Sequence, residues 1–138
     1  LARGDNRHGQ CDLPEAEAGV SFIQVAAGGF HTVLLRSDGQ VAACGDNRYG
    51  QCDLPDAEAG VSYVQISAGY RHTTLVRSDG ETVVCGRRPG ALAYLLDSEP
   101  GITITEVATG GYHTVVLRSD GRAIASGDNR QGQCDLPN

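Results

Sequence analysis

The chain has 138 residues and a mass of 14.4 kDa, which is enough for one domain with its own core. Its 17 acidic and 11 basic side chains give a net charge of −6, and every basic side chain is arginine. That balance argues against the extended positive surface needed for direct nucleic-acid binding, and no apolar run approaches the roughly 18 residues of a membrane span. Since position 1 is leucine in a sequence without methionine, we expect a processed product or a piece of a longer chain.

The sequence repeats itself with a period of 41 residues. His31, His72 and His113 follow this period, and so does the triplet Ser-Asp-Gly that begins at Ser37. The string Gly-Asp-Asn-Arg-x-Gly-Gln-Cys-Asp-Leu-Pro occurs at residues 4–14, 45–55 and 127–137. Repetition of this kind divides the chain into three full units and the start of a fourth, at residues 4–44, 45–85, 86–126 and 127–138.

Each unit predicts short strands joined by tight turns. In the first unit the strands are expected at residues 20–27, 31–36 and 40–44. A Gly-Gly break separates the first two, and Asp38-Gly39 is typical of a hairpin turn between the second and third. Residues 45–55 indicate a loop with room for one short outer strand, and no segment has the apolar period of a helix.

A period near 40 with three or four strands is typical of a blade of a β-propeller. Blades are covered by neighbours on both faces, which accounts for strands that are apolar on both sides. We therefore predict an all-β, propeller-type repeat of about three blades of short antiparallel strands, which is a partial propeller.

The same residues carry a family resemblance. Three segments of the second unit, Gly45-Asp46-Asn47-Arg48-Tyr49-Gly50-Gln51, Ala68-Gly69-Tyr70-Arg71-His72-Thr73 and Asp79-Gly80 through Cys85-Gly86, resemble the repeat of the regulator of chromosome condensation family. The resemblance implies a seven-bladed propeller, so the chain is expected to be either a partial propeller or a fragment of a seven-bladed one. It does not imply one function, because the family includes exchange factors, ubiquitin-ligase domains and scaffolds.

The units depart from the family pattern at two positions. The family's Trp before the closing Gly is Cys44, Cys85 or Ser126, and its Gln-Leu-Gly is Gln-Cys-Asp, as at Gln10-Cys11-Asp12. Three units also do not close a seven-bladed ring, so both end faces need a cover. A longer chain, self-association or a partner protein are the three alternatives.

The repeated histidines His31, His72 and His113 are interpreted as structural. One histidine per blade favours a buried imidazole that hydrogen-bonds backbone carbonyls and joins its blade to the next. The sequence contains neither Cys-x-x-Cys nor the His spacing of a zinc site, and Ser-Asp-Gly belongs to a turn rather than to a hydrolase triad. We therefore predict no catalytic, metal or cofactor-binding residue.

The five cysteines occupy two repeat positions, Cys11, Cys52 and Cys134 in one and Cys44 and Cys85 in the other. Their odd number and equivalent placement favour small buried hydrophobes with free thiols, and hence a reducing compartment. A Cys44–Cys52 bridge and an oxidising location remain open.

The third unit replaces its polar loop with an apolar segment at residues 87–96. One interpretation is that its outer strand packs differently. The other is a protein-docking patch, because Arg, Tyr and Leu supply interface contacts. The candidate docking residues are Arg87, Arg88, Leu92, Tyr94, Leu95 and Leu96.

The function predicted from these patterns is a non-enzymatic interaction or scaffold module, a structural subunit of a larger assembly with protein partners. The assembly is expected to be soluble or peripheral to a membrane complex. The alternative, implied by the resemblance alone, is an exchange factor-like regulator of a small GTPase. Exchange-active members use an inserted β-wedge, for which the 41-residue spacing leaves no room.

Overall fold

The computed structural model describes residues 1–87 and 99–137, and within these ranges it has nine strands and no helix that could cross a membrane. The strands form three antiparallel sheets, each in sequence order. The first contains β1 (Phe22–Ala27), β2 (His31–Arg36) and β3 (Val41–Gly45). The second contains β4 (Tyr63–Ala68), β5 (His72–Arg77) and β6 (Thr82–Gly86). The third contains β7 (Ile104–Thr109), β8 (His113–Arg118) and β9 (Ala123–Gly127).

This architecture confirms the all-β, blade-like prediction, with differences at the strand ends. The strand predicted at 31–36 has those bounds, whereas the first strand begins at Phe22 instead of Val20. A register shift between Phe22 and Gln24 marks a bulge that recurs in each sheet. Residues 46–62 and 128–137 form turns and extended loop with no outer strand.

The hairpins between second and third strands are built by the Arg-Ser-Asp-Gly sequence. Gly39 has φ +81°, a conformation that favours glycine, and its N–H donates to the Arg36 carbonyl at 3.0 Å. The Arg36 guanidinium then bonds the Asp38 carboxylate at 2.6 Å and that of Glu17 at 3.1 Å. Each blade repeats this clamp, which ties the hairpin to the loop before its first strand.

The core lies between neighbouring sheets rather than within one. Val33 and Leu35 of β2 pack in one cluster with Tyr63, Ile66 and Leu75 of the second blade. A second cluster joins the second and third blades through their equivalent positions, Val76, Val84, Val107 and Val116. The middle blade is therefore apolar on both faces because it contributes to both clusters.

A close glycine–histidine contact shapes the turn between first and second strands. The Gly110 N–H donates to the His113 carbonyl at 2.9 Å, and the imidazole folds back over the glycine. A Cβ on Gly110 would overlap that ring, and Gly28 and Gly69 have the same relation to His31 and His72. Gly110 is thus required for space, since its φ is not positive.

Two adjacent glycines test this contact. We expect Gly110→Ala to lower the free energy of unfolding by about 1–3 kcal/mol, because the methyl group must displace the ring of His113. Gly111→Ala is the matched control, since the nearest atom to its Cβ is that of Tyr70 at 4.0 Å and its φ is also not positive. Urea unfolding of both variants measures the difference, and equal losses would contradict the account.

Candidate functional site

Each junction between described blades contains a hydrogen bond between a repeated histidine and a threonine of the next blade. The His31 Nε2 lies 2.8 Å from Thr73 Oγ1, and that hydroxyl donates to the backbone carbonyl of Gln51 at 2.7 Å. His72 Nε2 lies 3.1 Å from Thr114 Oγ1 at the second junction. The partner of the imidazole is therefore a hydroxyl, not the backbone carbonyl expected from the sequence.

The geometry determines the protonation state of His31. Because Thr73 uses its hydroxyl hydrogen on the Gln51 carbonyl, the threonine oxygen must accept from His31 Nε2. Burial lowers the pKa of His31, and it lowers that of His72 to about 4 with help from the neighbouring His31 and His113. The ring of His31 is thus neutral with its hydrogen on Nε2, and it holds the junction rather than acting as a base.

Glutamine side chains add a second bond at each junction. Gln24 Oε1 accepts from the Ile66 N–H at 3.1 Å, and Gln65 Oε1 accepts from the Val107 N–H at 3.0 Å. Our sequence reasoning did not single out these residues. The available signal was their 41-residue spacing within an otherwise apolar strand.

The serine, histidine and acidic groups examined for catalysis are engaged elsewhere. Ser37 Oγ accepts the Ser21 N–H at 3.0 Å, so it closes the hairpin, while His31 points to Thr73. In the described part of the chain, no three His, Cys, Asp or Glu side chains form a group able to hold a metal ion. A shallow groove of about 280 Å³ lies among the Gly-containing turns and is lined mainly by glycine and alanine, with the Tyr70 phenol as its single titratable group.

Cysteines at the first repeat position close the polar loops. Cys52 Sγ lies 3.4 Å from the Asp46 carbonyl, and Cys11 and Cys134 make the equivalent contact. Cys44 and Cys52 are both free thiols, so the structure does not form the bridge between them. Burial raises the pKa of Cys44 and raises that of Cys52 to about 11, which keeps these thiols protonated and poorly nucleophilic.

The polar loops hold an aspartate–arginine pair at the same repeat position. Arg48 bonds both carboxylate oxygens of Asp46, at 2.8 and 3.0 Å, and this lowers the pKa of Asp46 to about 2. Asp5–Arg7 and Asp128–Arg130 are equivalent pairs. Each of Arg7, Arg48 and Arg130 is therefore neutralised by the aspartate two residues before it.

The second blade departs from this pattern at two positions that touch. In the first and third blades the backbone N–H of an aspartate donates to the carbonyl of an aromatic residue. These bonds run from Asp46 to Phe30 and from Asp128 to Tyr112. In the second blade both positions are arginine, and the Arg87 N–H donates to the Arg71 carbonyl at 2.9 Å. Two departures from the repeat thus meet at one place.

These arginines contact aromatic rings. The guanidinium carbon of Arg71 lies 4.9 Å from the ring centre of Tyr49 and 5.4 Å from the ring centre of Tyr70. The guanidinium carbon of Arg87 lies 5.9 Å from the ring centre of Tyr49. Arg71 also donates to the Tyr49 hydroxyl at 3.0 Å. Among the described residues neither arginine forms an ion pair with a carboxylate. We call Tyr49, Tyr70, Arg71 and Arg87 the cationic patch.

Of the six docking residues predicted from sequence, the structure places Arg87 in this patch, exposed to solvent. The other five, Arg88, Leu92, Tyr94, Leu95 and Leu96, lie outside the described residues. Sequence reasoning missed Arg71. Its signal was an arginine where Phe30 and Tyr112 occupy the equivalent positions.

The buried histidines predict a pH dependence of stability. The pKa of His72 is lowered from 6.5 to about 4, so the folded state binds fewer protons than the unfolded chain between these values. We expect the free energy of unfolding to be highest above pH 6.5 and the contribution of His72 to fall by up to about 3 kcal/mol as pH drops toward 4. Depressed carboxylates such as Asp46 titrate at lower pH, with a pKa of about 2.

Urea unfolding between pH 7 and 4.5 checks this expectation. His72→Gln removes the titrating ring, so it reduces the slope of stability against pH in that window. His8→Gln, at an exposed loop position, is the control and retains the wild-type slope. A wild-type slope in His72→Gln would contradict the assignment.

Comparison with known proteins finds the repeat of one family in two segments of the chain. The family model for the regulator of chromosome condensation (RCC1) repeat matches residues 22–51 and 104–133. Both matched segments leave out the second blade, which carries Arg71 and Arg87. A search of curated proteins gave no significant sequence match.

Several solved structures share the fold at low sequence identity. Prp20p from Saccharomyces cerevisiae, described with its binding to Gsp1p and histones, superposes with a TM-score of 0.71 at 20% identity, over 85% of this chain and 34% of its own. Human WBSCR16 superposes with a TM-score of 0.67 at 21% identity, over 86% of this chain and 37% of its own. The ectodomain of the receptor kinase CR4 from Physcomitrella patens superposes with a TM-score of 0.65 at 19% identity, over 90% of this chain and 34% of its own.

This chain therefore spans about a third of the length of the structures that it resembles. Two segments of the chain thus match the regulator of chromosome condensation repeat, and they contain the strands of the first and third of the three equivalent blades.

Proposed function

We propose that the chain is a non-catalytic protein-interaction module, a structural subunit of a larger assembly that binds an acidic segment of a partner protein at the cationic patch. The observation that carries this proposal is the meeting of Arg71 and Arg87 on the second blade. Equivalent positions on the neighbouring blades hold an aromatic residue and a paired aspartate. The substitution changes a neutralised site into one with two positive charges.

The patch is preorganised for contact with carboxylates. Tyr49 holds both guanidinium groups near its ring, and its hydroxyl accepts from Arg71, so the cations are positioned before a partner arrives. Arg71 Nε is buried and has no hydrogen-bond partner among residues 1–87 and 99–137. Arginine and tyrosine are enriched among residues that dominate binding energy, and a planar guanidinium bonds a carboxylate through two parallel hydrogen bonds.

The sequence that follows Arg87 is consistent with protein binding. Arg88, Leu92, Tyr94, Leu95 and Leu96 come directly after it along the chain and supply the residue types of an interface core. A partner that bound both the cationic patch and these apolar residues would present acidic side chains beside an apolar centre.

Paired substitutions test the proposal in affinity capture from the source organism. We expect the double variant Arg71→Ala, Arg87→Ala to retain the specific partner about tenfold less, or less still. Higher salt is expected to reduce retention of the partner by the wild type. The control is Arg7→Ala with Arg130→Ala, which removes two exposed arginines that are paired with Asp5 and Asp128. Equal retention by the patch variant, the control and the wild type would contradict the proposal.

A nucleotide-release assay separates this function from its rival. In the presence of catalytic amounts of the chain, a panel of small GTPases is expected to release nucleotide at its intrinsic rate. Acceleration that depends on the chain would replace the interaction-module proposal with the exchange-factor alternative.

A further inference from the structure

The cationic patch concentrates positive charge on a chain whose net charge is −6. Neither Arg71 nor Arg87 forms an ion pair within residues 1–87 and 99–137, and both guanidinium groups lie at the ring of Tyr49. Other arginines of the described residues are paired with aspartate or glutamate, namely Arg7, Arg36, Arg48, Arg77, Arg118 and Arg130. The middle blade therefore holds two adjacent cations that the described residues do not neutralise.

These two guanidinium groups have hydrogen-bond donors to spare. Arg71 donates from one terminal nitrogen to the Tyr49 hydroxyl at 3.0 Å, while its Nε is buried and has no partner among the described residues. The Arg87 guanidinium lies near the ring of Tyr49 and donates to no described residue. Because a guanidinium has five N–H donors, the patch can bond an anion with several acceptor oxygens.

A phosphate group matches this arrangement better than a single carboxylate does. One guanidinium is enough to bond both oxygens of a carboxylate, as Arg48 does with Asp46 in the same loop. A phosphorylated side chain carries a charge of about −1.5 to −2 and three strong acceptor oxygens at pH 7. It can therefore bond two guanidinium groups at once, through different oxygens.

The charge of the rest of the chain favours an isolated phosphate over a polyanion. Nucleic acids and anionic membranes are bound through many positive contacts spread over a surface. The net charge of −6 opposes such a surface, and the Asp46–Arg48 pair beside Tyr49 is already neutralised. A single phosphorylated residue of a protein needs only the two arginines of the patch.

We infer that the partner segment bound at the cationic patch carries a phosphorylated side chain, whose phosphate bonds Arg71 and Arg87 together. This inference rests on the proposed function and specifies its ligand. Tyr49 holds the two cations beside one ring, and strand pairing between β5 and β6 fixes the backbone of both. Phosphorylation of the partner is then the condition for tight binding.

Degenerate peptide libraries test the inference on the immobilised chain. Three libraries share the same randomised flanking positions and differ only in the central residue, which is phosphoserine, phosphotyrosine or glutamate. At least one phosphorylated library is expected to be retained about tenfold more than the glutamate library, because only the phosphate bonds both arginines. Phosphatase treatment of that library is expected to remove the excess.

Single substitutions then show whether one phosphate uses both arginines. Arg71→Gln and Arg87→Gln are each expected to weaken the most enriched phosphopeptide by about tenfold. Each is expected to have a smaller effect on the glutamate version of that peptide, since the remaining guanidinium can still bond a carboxylate. Arg87 is exposed, so its variant keeps the test decisive if circular dichroism shows that Arg71→Gln does not fold.

Arg122→Gln is the matched control. Arg122 is exposed, lies between β8 and β9, and forms no ion pair with a described residue, so its loss changes the net charge by the same amount. This variant is expected to bind the phosphopeptide like the wild type.

The possible failures separate this inference from the proposed function. Equal retention of the glutamate and phosphorylated libraries, with both lost in the patch variants, would overturn the phosphate inference and leave the acidic-segment proposal standing. Retention that no patch variant changes would contradict both. Displacement of the phosphopeptide by single-stranded RNA or by phosphatidylserine vesicles at matched ionic strength would also overturn the inference, because the patch would then serve a polyanion.

Discussion

The hydrogen bond from a buried histidine to a threonine of the next blade is the contact on which the arrangement of the blades depends. It joins sheets that share no backbone ladder, and it does so inside the apolar cluster between them. A buried donor without a partner costs about 1–3 kcal/mol, so the bond forms only when neighbouring blades are in register. Apolar packing holds the sheets together. The histidine fixes their relative position together with the glutamine bonds and a backbone bond between the turns, such as that from the Gly29 N–H to the Gly69 carbonyl.

Several repeated residues follow from this one bond. The glycine three residues before each histidine provides the space into which the ring folds. The threonines that follow His72 and His113 bond the histidine of the preceding blade. The glutamine of the polar loop supplies the backbone carbonyl that orients the threonine hydroxyl. The glycine, histidine, threonine and glutamine must therefore all recur together with the same 41-residue spacing.

Much of the fold could be predicted from the sequence because its signals are local. Strand bounds follow from apolar runs, and Asp38-Gly39 marks a hairpin that the structure forms with φ +81° at the glycine. The blade-to-blade contacts were harder to predict, since nothing in one unit shows whether His31 meets its own Thr32 or the Thr73 of the next blade. Only the relative placement of the sheets decides this.

Only part of the candidate site could be predicted, because the placement of one strand beside another also decides which of its residues meet. Arg87 could be found as a departure from the repeat, but Arg71 is 16 residues away and its relation to Arg87 is created by strand pairing between β5 and β6. The repeats thus provide a rigid frame in which most positions are fixed by their role at a junction. Positions that depart from the repeat are where one blade acquires a property that its neighbours lack.

A double-mutant cycle on the first junction tests the central claim most directly. The free energy of unfolding is measured for the wild type, His31→Gln, Thr73→Val and the double variant, with His31→Gln and Thr114→Val as the control cycle. The account predicts an interaction energy of about 1 kcal/mol or more between His31 and Thr73, and additive effects in the control. Additive effects of His31 and Thr73, within about 0.3 kcal/mol, would contradict the claim that this bond sets the register of the blades.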